Sequence, residues 1–347
     1  MPNKILDTNI ETAQILISPL EIKSKLPLTV ANSNTVAKYR KEIQDILEAK
    51  DNRKFIVVGP CSIHDIKAGE EYAHRLKSLS EKVKDKFLLI MRVYFEKPRT
   101  TVGWKGLIND PDMDDSFQIE KGLELARSFL LKITDLDLPT ATEALDPIVP
   151  QYIGELISWT AIGARTTESQ THREMASGLS MPVGFKNSTD GSIEVALNAM
   201  QAARTPHSFL GINARGLVCV FKTKGNPYAH IILRGGNTGP NYGTQHVTAV
   251  AEKLKAANLP TNIVIDCSHG NSSKDHRKQG VVFNSVIDQM IEGNKLLVGM
   301  MIESNLYEGG QSIPCDLAQL KYGVSVTDKC IGWEETEELI LSAHARL

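Results

Sequence analysis

Cations follow short apolar runs at corresponding positions of the chain, and their spacing suits the binding of small anions. Arg165 follows the run 156–162, and Lys186 ends the run 181–185. In a barrel of parallel strands the carboxyl-terminal strand ends face the active site, so we expect the two to converge on one anion. Other runs are followed in the same way by Arg92, Lys97, Arg99 and Arg234. The set predicts small, phosphorylated substrates. The alternative for any single cation is an ion pair with Glu143, Glu168, Asp266 or Glu303.

A thiol, an imidazole and carboxylates also follow apolar runs and could bind a metal. Cys61, His269 and Glu303 each come after such a run, and Asp328 is a fourth candidate. This mixture suits a divalent transition metal such as Mn, Fe, Co or Zn better than Mg or Ca, which prefer oxygen ligands. The alternative is that Cys61 is a small core residue and His269 a loop histidine bonded to the backbone.

The elements that would position these residues alternate along the chain. Apolar runs begin near Phe55, Phe87, Leu138, Leu156, Met181, Ala229, Asn262 and Lys295. Between them lie segments with helical spacing, such as Tyr72, Leu76, Leu79 and Val83. Eight strands alternating with helices over about 250 residues predict an α/β fold, a (β/α)8 TIM barrel over residues 51–347. A doubly wound open sheet is the alternative, but no GxGxxG follows the first strand.

Two segments fall outside this alternation. Residues 1–50 are expected to form an N-terminal arm and helix, with residues 1–33 extended and the helix running from Asn34 to near Asp51–Asn52. Either a partner subunit or the chain's own body would cover the apolar residues of the arm. Two strand-like runs within residues 207–222 predict an inserted β-hairpin. It would lie on the face opposite the active site and serve assembly or regulation.

Composition and charge exclude several protein classes. The 347 residues carry 39 Lys+Arg against 41 Asp+Glu, a formal net charge of −2, so no basic field recruits nucleic acid or acidic membranes. Five scattered cysteines without a CxxC indicate a reducing compartment rather than a disulfide framework. Met1–Thr12 lacks the pattern of a signal peptide, and no apolar stretch is long enough to span a bilayer. We therefore expect a cytoplasmic protein without nucleic-acid or membrane partners.

Five motifs, in their order along the chain, resemble a known family. They are GPCSIH (59–64), MRVYFEKPRTT (91–101), GARTTES (163–169), DCSHGN (266–271) and MIESN (301–305). Together they resemble the type I 3-deoxy-D-arabino-heptulosonate 7-phosphate (DAHP) synthases, and the likeness covers nearly the whole chain. The resemblance implies a metal-dependent, aldol-like condensation of phosphoenolpyruvate with D-erythrose 4-phosphate. This reaction releases phosphate and is the first step of the shikimate pathway.

The resemblance also implies roles for the candidate residues. One divalent metal would be bound by Cys61, His269, Glu303 and Asp328. The phosphate of phosphoenolpyruvate would be bound by Arg165, Lys186 and Arg234, and its carboxylate by Arg92 and Lys186. The phosphate of erythrose 4-phosphate would be bound by Arg99 and Thr100, and Glu143 would belong to the same substrate site. Lys97 would donate a proton to the developing alkoxide, with His269 as the rival donor.

Regulation and assembly follow from the same resemblance. Members of the family are commonly homo-oligomers inhibited by one aromatic amino acid, and we expect a dimer or a tetramer. The effector pocket would lie beneath the barrel and include Pro150, Gln151, Leu179, Phe209, Gly211 and Phe221. In the family, glycine at the position of Gly211 accompanies tyrosine inhibition and serine accompanies phenylalanine inhibition. Tyrosine is therefore the favoured effector.

Two other functions remain as alternatives. A synthase that makes a Kdo phosphate from arabinose 5-phosphate would share the barrel and the phosphoenolpyruvate chemistry. The KPRT motif (97–100) and the long arm favour erythrose 4-phosphate instead. A catalytically inactive sensor of aromatic amino acids would keep only the effector pocket. The intact sets of cations and metal-type ligands argue against it.

Overall fold

Eight short strands form a closed parallel barrel in a computed structural model, which describes residues 5–347. In chain order the strands are β1 (Lys54–Gly59), β2 (Phe87–Arg92), β3 (Thr140–Glu143), β4 (Trp159–Ile162), β5 (Val183–Lys186), the hairpin strands β6 (Ser208–Ile212) and β7 (Val218–Lys222), β8 (Ala229–Leu233), β9 (Ile263–Asp266) and β10 (Leu297–Glu303). The barrel runs β1, β10, β9, β8, β5, β4, β3, β2, and β2 pairs with β1 to close the ring. The predicted (β/α)8 barrel is confirmed, and the open-sheet alternative is wrong.

Helices connect the strands and cover the outside of the barrel. They are α1 (Pro19–Lys25), α2 (Val30–Leu47), α3 (Ile66–Val83), α4 (Ile119–Asp135), α5 (Pro150–Ile153), α6 (Gln170–Gly178), α7 (Glu194–Ala203), α8 (Thr244–Ala256), α9 (Gln279–Ile291) and α10 (Trp333–Arg346). Short 3-10 turns span Gly154–Leu156, His276–Lys278 and Leu317–Gln319. Each long helix buries one apolar stripe, because residues three and four apart share a face. In α3 the stripe includes Tyr72, Leu76 and Leu79, all fully buried.

The barrel interior is a packed core that α2 closes from one end. Ile43 and Ile46 of α2 belong to the same buried cluster as Phe55 and Trp159, whose side chains fill the ring of strands. The indole N–H of Trp159 donates a hydrogen bond to His230, with a nitrogen–nitrogen distance of 3.1 Å. The interior is therefore filled with side chains, as in other barrels of this type, and the open space lies at the strand ends.

The first helix lies within a segment that the sequence analysis describes as extended. α1 begins after Ser18, whose side chain accepts a hydrogen bond from the backbone of Glu21 while the Glu21 carboxylate accepts one from the Ser18 backbone. Ile22 is fully buried, so this part of the arm packs on the body of the chain. The extended-arm prediction is wrong here, because Ser18 and Glu21 form a capping box and Pro19 is the first residue of the helix, a position that favours proline. The first four residues of the predicted arm, which also begin the segment searched for a signal peptide, lie outside the described residues.

The second helix starts and ends earlier than predicted. It begins at Val30 rather than Asn34, because Thr29 and Asn32 form a second capping box. The Asn32 side chain, fully buried, also donates a hydrogen bond to Thr134 of α4 over 2.9 Å. The helix ends before Ala49, whose φ of 55° lies in the left-handed region and breaks the helical path.

The hairpin of β6 and β7 projects from the chain between α7 and β8, as the sequence predicts. The arm contacts it, because the backbone N–H of Leu20 donates a hydrogen bond to the carbonyl of Ala214 over 2.7 Å. Leu210, Val218 and Val220 of the hairpin are exposed. All five cysteines are free thiols. Among the described residues, no helix has the length and apolar character needed to cross a membrane.

Candidate active site

The carboxyl-terminal ends of the barrel strands surround a cavity of about 440 Å³. Nine of the candidate residues line it: Lys97, Arg99, Glu143, Arg165, Lys186, Arg234, His269, Glu303 and Asp328. Three further candidates lie beside it. Arg92 contacts Glu303, Cys61 contacts Asp328, and Thr100 accepts a hydrogen bond from Arg165. Residues far apart in sequence meet here because parallel strands bring their ends to one edge.

A thiol and two carboxylates converge at this cavity, which Glu303 and Asp328 line and beside which Cys61 is buried. Donor atoms of Cys61, Glu303 and Asp328 all lie within 4.8 Å of one another, which is close enough for one ion to bridge them. Cys61 is fully buried at the end of β1, and Glu303 ends β10. Burial and the charge of Glu303 raise the pKa of the Cys61 thiol to about 11. A bound cation would reverse this, because thiols lose their proton on coordination, and the mixed donor set suits a transition metal.

His269 lines the same cavity but does not join this group of three. Its Nδ1 lies 2.9 Å from the Asp266 carboxylate and 2.7 Å from the hydroxyl of Ser268. A carboxylate only accepts hydrogen bonds, so Nδ1 carries the proton and Nε2 is the nitrogen available to a metal. The backbone φ of His269 is 54°, in the left-handed region, which marks a strained position at this strand end. The side chain would have to approach the other three donors for all four to bind one ion.

Two of the candidate cations form buried ion pairs, as the alternative interpretation of the cations holds. Arg92 contacts Glu303 over 3.0 Å, and Lys186 contacts Asp266 over 2.7 Å. Burial raises the pKa of the Asp266 carboxyl, but Lys186 and His269 outweigh it and hold the pKa well below its usual range. The pair with Glu303 does not use every donor of Arg92, because Nη1 is buried without a partner among the described residues.

The other four cations have no carboxylate within 4.0 Å in the described part of the chain. They are Lys97, Arg99, Arg165 and Arg234. Nζ of Lys97 donates hydrogen bonds to the sulfur and the carbonyl of Cys61, each over 3.1 Å. Nε of Arg99 donates to the carbonyl of Trp104, and Nε of Arg165 donates to Thr100. Guanidinium groups held through Nε keep their outer nitrogens free, which suits phosphate binding.

Some residues of the site have little or no signal in the sequence. The lining of the cavity also includes Asn237, Lys274 and Lys329, which lie in loops, and His276, which begins a 3-10 turn. The sequence predicts Asp266 only as an ion-pair partner of a cation, yet in the structure Asp266 contacts both Lys186 and His269. Its position at the end of β9 could have identified it, because Glu143, Lys186 and Glu303 end their strands in the same way.

A second cavity, of about 360 Å³, brings the six candidate effector residues together. Its lining includes Pro150, Gln151, Leu179, Phe209, Gly211 and Phe221. These come from the segments that lead into β4, β5 and β8, so the cavity lies toward the amino-terminal ends of those strands. A Cβ atom on Gly211 would lie 2.7 and 2.8 Å from two ring carbons of Phe221, closer than such atoms normally approach. The glycine therefore lets the Phe221 ring pack against the β6 backbone.

Comparison with protein families gives a match over most of the chain. A family model described as "DAHP synthetase I family" matches residues 26–341. The chain belongs to this family. It is 54% identical to the Tyr-sensitive phospho-2-dehydro-3-deoxyheptonate aldolase of Escherichia coli K12, over 98% of this chain and 96% of the relative. It is also 54% identical to the Phe-sensitive enzyme of that strain, over 96% of this chain and 95% of the relative.

A solved structure supports the same relationship. The phospho-2-dehydro-3-deoxyheptonate aldolase of Francisella tularensis SCHU S4 superimposes with a TM-score of 0.95 and 50% identity, over 97% of this chain and 98% of that chain. The reaction of DAHP synthases is the condensation of phosphoenolpyruvate with erythrose 4-phosphate, and the family is metal-dependent and regulated by aromatic amino acids. Neither the Kdo phosphate synthase nor the inactive sensor is favoured.

Proposed function

We propose that the large cavity binds phosphoenolpyruvate and erythrose 4-phosphate side by side and joins them beside one divalent metal. The observation that carries this proposal is that cations without carboxylate partners line one cavity together with Glu303 and Asp328, and that the Cys61 thiol lies beside these two carboxylates. Such an excess of positive charge needs anionic ligands, and two phosphorylated substrates provide them. The cations would also screen the mutual repulsion of the two anions and hold the reacting carbons together.

The phosphoenolpyruvate site would use residues at the ends of β2, β4, β5 and β8. Its phosphate would contact Arg165, Lys186 and Arg234, and its carboxylate would contact Arg92 and Lys186. Burial lowers the pKa of Arg234, with the charge of Asp266 opposing this, yet an arginine remains charged at neutral pH. Glu143 would complete the substrate site, because its Oε1 is buried without a partner among the described residues.

The erythrose 4-phosphate site would use the segment after β2. Arg99 and Thr100 would bind the phosphate of this substrate. Nε of Arg99 is held by the carbonyl of Trp104 over 2.8 Å, which fixes the direction of the guanidinium. Thr100 accepts a hydrogen bond from Arg165 over 3.1 Å, so the two phosphate sites share a boundary.

The metal site would consist of Cys61, His269, Glu303 and Asp328. Mn, Fe, Co or Zn would fit this set, because sulfur and imidazole ligands select transition metals over Mg and Ca. A metal bound here would supply Lewis-acid polarisation of the aldehyde oxygen. Asp266 would hold the His269 ring through Nδ1, as carboxylates commonly do behind metal-bound histidines.

The condensation itself would form one carbon–carbon bond and one carbon–oxygen bond, the latter from water, and would break the carbon–oxygen bond to the phosphate group. C3 of phosphoenolpyruvate attacks the aldehyde carbon, and the aldehyde oxygen takes a proton to become a hydroxyl. Water then adds at C2, and phosphate leaves as C2 becomes a ketone. Lys97 would donate the proton: burial lowers its pKa, but Cys61, Glu303 and Asp328 outweigh burial and raise it, so the ammonium persists. His269 is the rival donor, although its Nδ1 proton faces Asp266.

The second cavity would bind tyrosine as a feedback inhibitor. Gly211 carries this assignment, because in the family glycine at that position accompanies tyrosine inhibition. A Cβ atom there would lie 2.7 and 2.8 Å from two ring carbons of Phe221, so the residue at position 211 determines where this ring lies in the wall of the cavity. We also propose a homo-oligomer, a dimer or a tetramer. The exposed apolar residues of the hairpin and of the arm, such as Leu210, Val218 and Ile15, would be covered by a second copy of the chain.

Phosphate release from phosphoenolpyruvate in the presence of erythrose 4-phosphate tests these proposals. Turnover is expected to stop with EDTA and to return with Mn²⁺, and tyrosine is expected to inhibit it more strongly than phenylalanine or tryptophan. Absence of turnover with every metal would contradict the reaction, and activity with arabinose 5-phosphate would then identify the Kdo alternative. Inhibition by phenylalanine or tryptophan but not tyrosine would contradict the Gly211 argument and leave the reaction intact.

A further inference from the structure

The ring of Tyr94 lies next to two cations of the catalytic cavity. Tyr94 follows Arg92 by two residues, so on extended backbone the two side chains extend to the same side. The guanidinium carbon of Arg92 lies 4.0 Å from the centre of the Tyr94 ring. Nζ of Lys97 lies 5.7 Å from the same centre. Both distances fall within about 6 Å, the range over which an aromatic face attracts a cation.

The surroundings of Tyr94 make the contact with Arg92 strong and rigid. Both side chains are only 1% exposed, so water does not screen the attraction. The carbonyl of Tyr94 accepts a hydrogen bond from the backbone N–H of Ile63 over 2.9 Å. The ring itself belongs to the packed interior of the barrel, together with Ile90 and Met301. It therefore presents a fixed aromatic face to the guanidinium.

The hydroxyl of Tyr94 does not orient the ring. It is buried without a hydrogen-bond partner among the described residues. Burial raises the pKa of Tyr94, Arg92 opposes this, and the nearby acids Glu143, Asp266 and Glu303 add to it, so the phenol stays neutral. A buried hydroxyl without a partner destabilises the protein. The ring, rather than the hydroxyl, is therefore the part that acts on Arg92.

Arg92 is held at two of its three nitrogens. Nε donates to the carbonyl of Pro60 over 3.2 Å, and Nη2 donates to Glu303 over 3.0 Å. Nη1 is buried and has no partner among the described residues. Two hydrogen bonds fix the edge of the guanidinium, and the Tyr94 ring supports its plane. Together they determine where Nη1 points.

We propose that Tyr94 is a positioning residue, whose ring holds the guanidinium of Arg92 so that Nη1 meets the carboxylate of phosphoenolpyruvate. This inference depends on the proposed function, because it requires Arg92 to bind that substrate. Tyr94→Leu, which removes the ring, is expected to raise the KM for phosphoenolpyruvate on the order of tenfold. The KM for erythrose 4-phosphate should change by less than about twofold, and kcat should fall less than the first KM rises.

Tyr94→Phe separates the ring from the hydroxyl. It keeps the aromatic face, so the KM for phosphoenolpyruvate should rise by no more than about threefold. It also removes a buried hydroxyl that has no hydrogen-bond partner among the described residues, so the Tm should equal or exceed that of the parent. A KM for Tyr94→Phe as high as that for Tyr94→Leu would overturn the inference, because the hydroxyl would then be the active group.

Two reference variants complete the test. Phe95 is equally buried but packs on Phe129, with ring centres 6.1 Å apart, rather than on Arg92. Phe95→Leu should lower the Tm and leave the KM for phosphoenolpyruvate unchanged; an equal rise in KM would show a general packing effect and overturn the inference. Arg92→Lys should raise that KM. If Arg92→Lys leaves the KM for phosphoenolpyruvate unchanged, the proposed role of Arg92 is wrong. If Arg92→Lys raises this KM and Tyr94→Leu does not, only the proposed role of Tyr94 is wrong.

Discussion

Asp266→Asn is expected to destabilise the protein by about 3–5 kcal/mol, because it leaves a buried lysine charge without its partner. Asp266 is 1% exposed, and its Oδ2 lies 2.7 Å from Nζ of Lys186 and 2.9 Å from Nδ1 of His269. Its other oxygen accepts hydrogen bonds from the backbone and hydroxyl of Ser268. Asparagine has the same shape and can keep the Ser268 contacts. The substitution therefore removes one charge and little packing.

The free energy of unfolding should be measured by urea titration with EDTA, so that no metal adds to it. Burial raises the pKa of Asp266, but Lys186 and His269 outweigh it and hold the pKa well below its usual value. A depressed pKa contributes stability above the unfolded pKa of about 4, which is lost as the pH falls below that value. The difference in the free energy of unfolding between the parent and the variant should thus be largest at about pH 7 and should decrease in acid. Metal affinity should fall about 10- to 100-fold, because His269 loses its support.

Asp275→Asn is a matched control for this substitution. Asp275 lies on the same segment and pairs with Arg277, but that pair is near the surface and the side chain of Arg277 is 71% exposed. Surface ion pairs contribute little, so this variant should be far less destabilised than Asp266→Asn and should keep its metal affinity. A loss below about 1 kcal/mol for Asp266→Asn, together with unchanged metal affinity, would refute the reasoning, because a broken buried pair costs more.

Two further predictions concern neighbouring residues of one motif. Lys97→Met keeps the length of the side chain and removes its proton, so kcat should fall by about 10²- to 10⁴-fold in the phosphate-release assay; near-parental turnover would remove Lys97 from the role of donor. Burial, reinforced by Asp146, raises the pKa of Glu96 to about 8. A raised carboxyl pKa means that the folded state binds the extra proton, so its contribution to stability is lost as the pH rises from about 5 to 8. Glu96→Gln cannot ionise, and its Tm relative to the parent should increase over that range; a difference independent of pH would contradict the assignment.

The strand ends and many of the site residues could be predicted from the sequence, because buried parallel strands are short apolar runs bounded by Gly, Pro or charge. Arg165, Lys186 and Glu303 were found in this way, and the structure places all three at one cavity. The partners of the cations could not be predicted. Arg92 pairs with Glu303 across more than two hundred residues of sequence, because β1 alone separates their strands in the closed barrel.

Other misses have local causes. The sequence prediction lacks α1 and starts α2 too late, because capping boxes begin both helices within a segment whose prolines and mixed polarity are typical of extended chain. Tyr94 was missed because an aromatic residue within an apolar segment has the same appearance whether it fills a core or supports a cation. Only the distance from its ring to Arg92 distinguishes the two. The position of His269 outside the group of three donors depends on a rotatable side chain, which no spacing encodes.

The second cavity is lined by the segments that lead into β4, β5 and β8, and the far ends of these same strands lead to Arg165, Lys186 and Arg234. At about 3.3 Å per residue, each of these extended strands is roughly 13–17 Å long, and its hydrogen bonds within the barrel keep that length fixed. If an inhibitor displaced the segments that lead into these strands, the displacement would be passed along the strands to Arg165, Lys186 and Arg234, which we propose to bind the phosphate of phosphoenolpyruvate. An inhibitor bound in the second cavity would thus change the relative positions of these three cations. It would compete with phosphoenolpyruvate although the two molecules never touch.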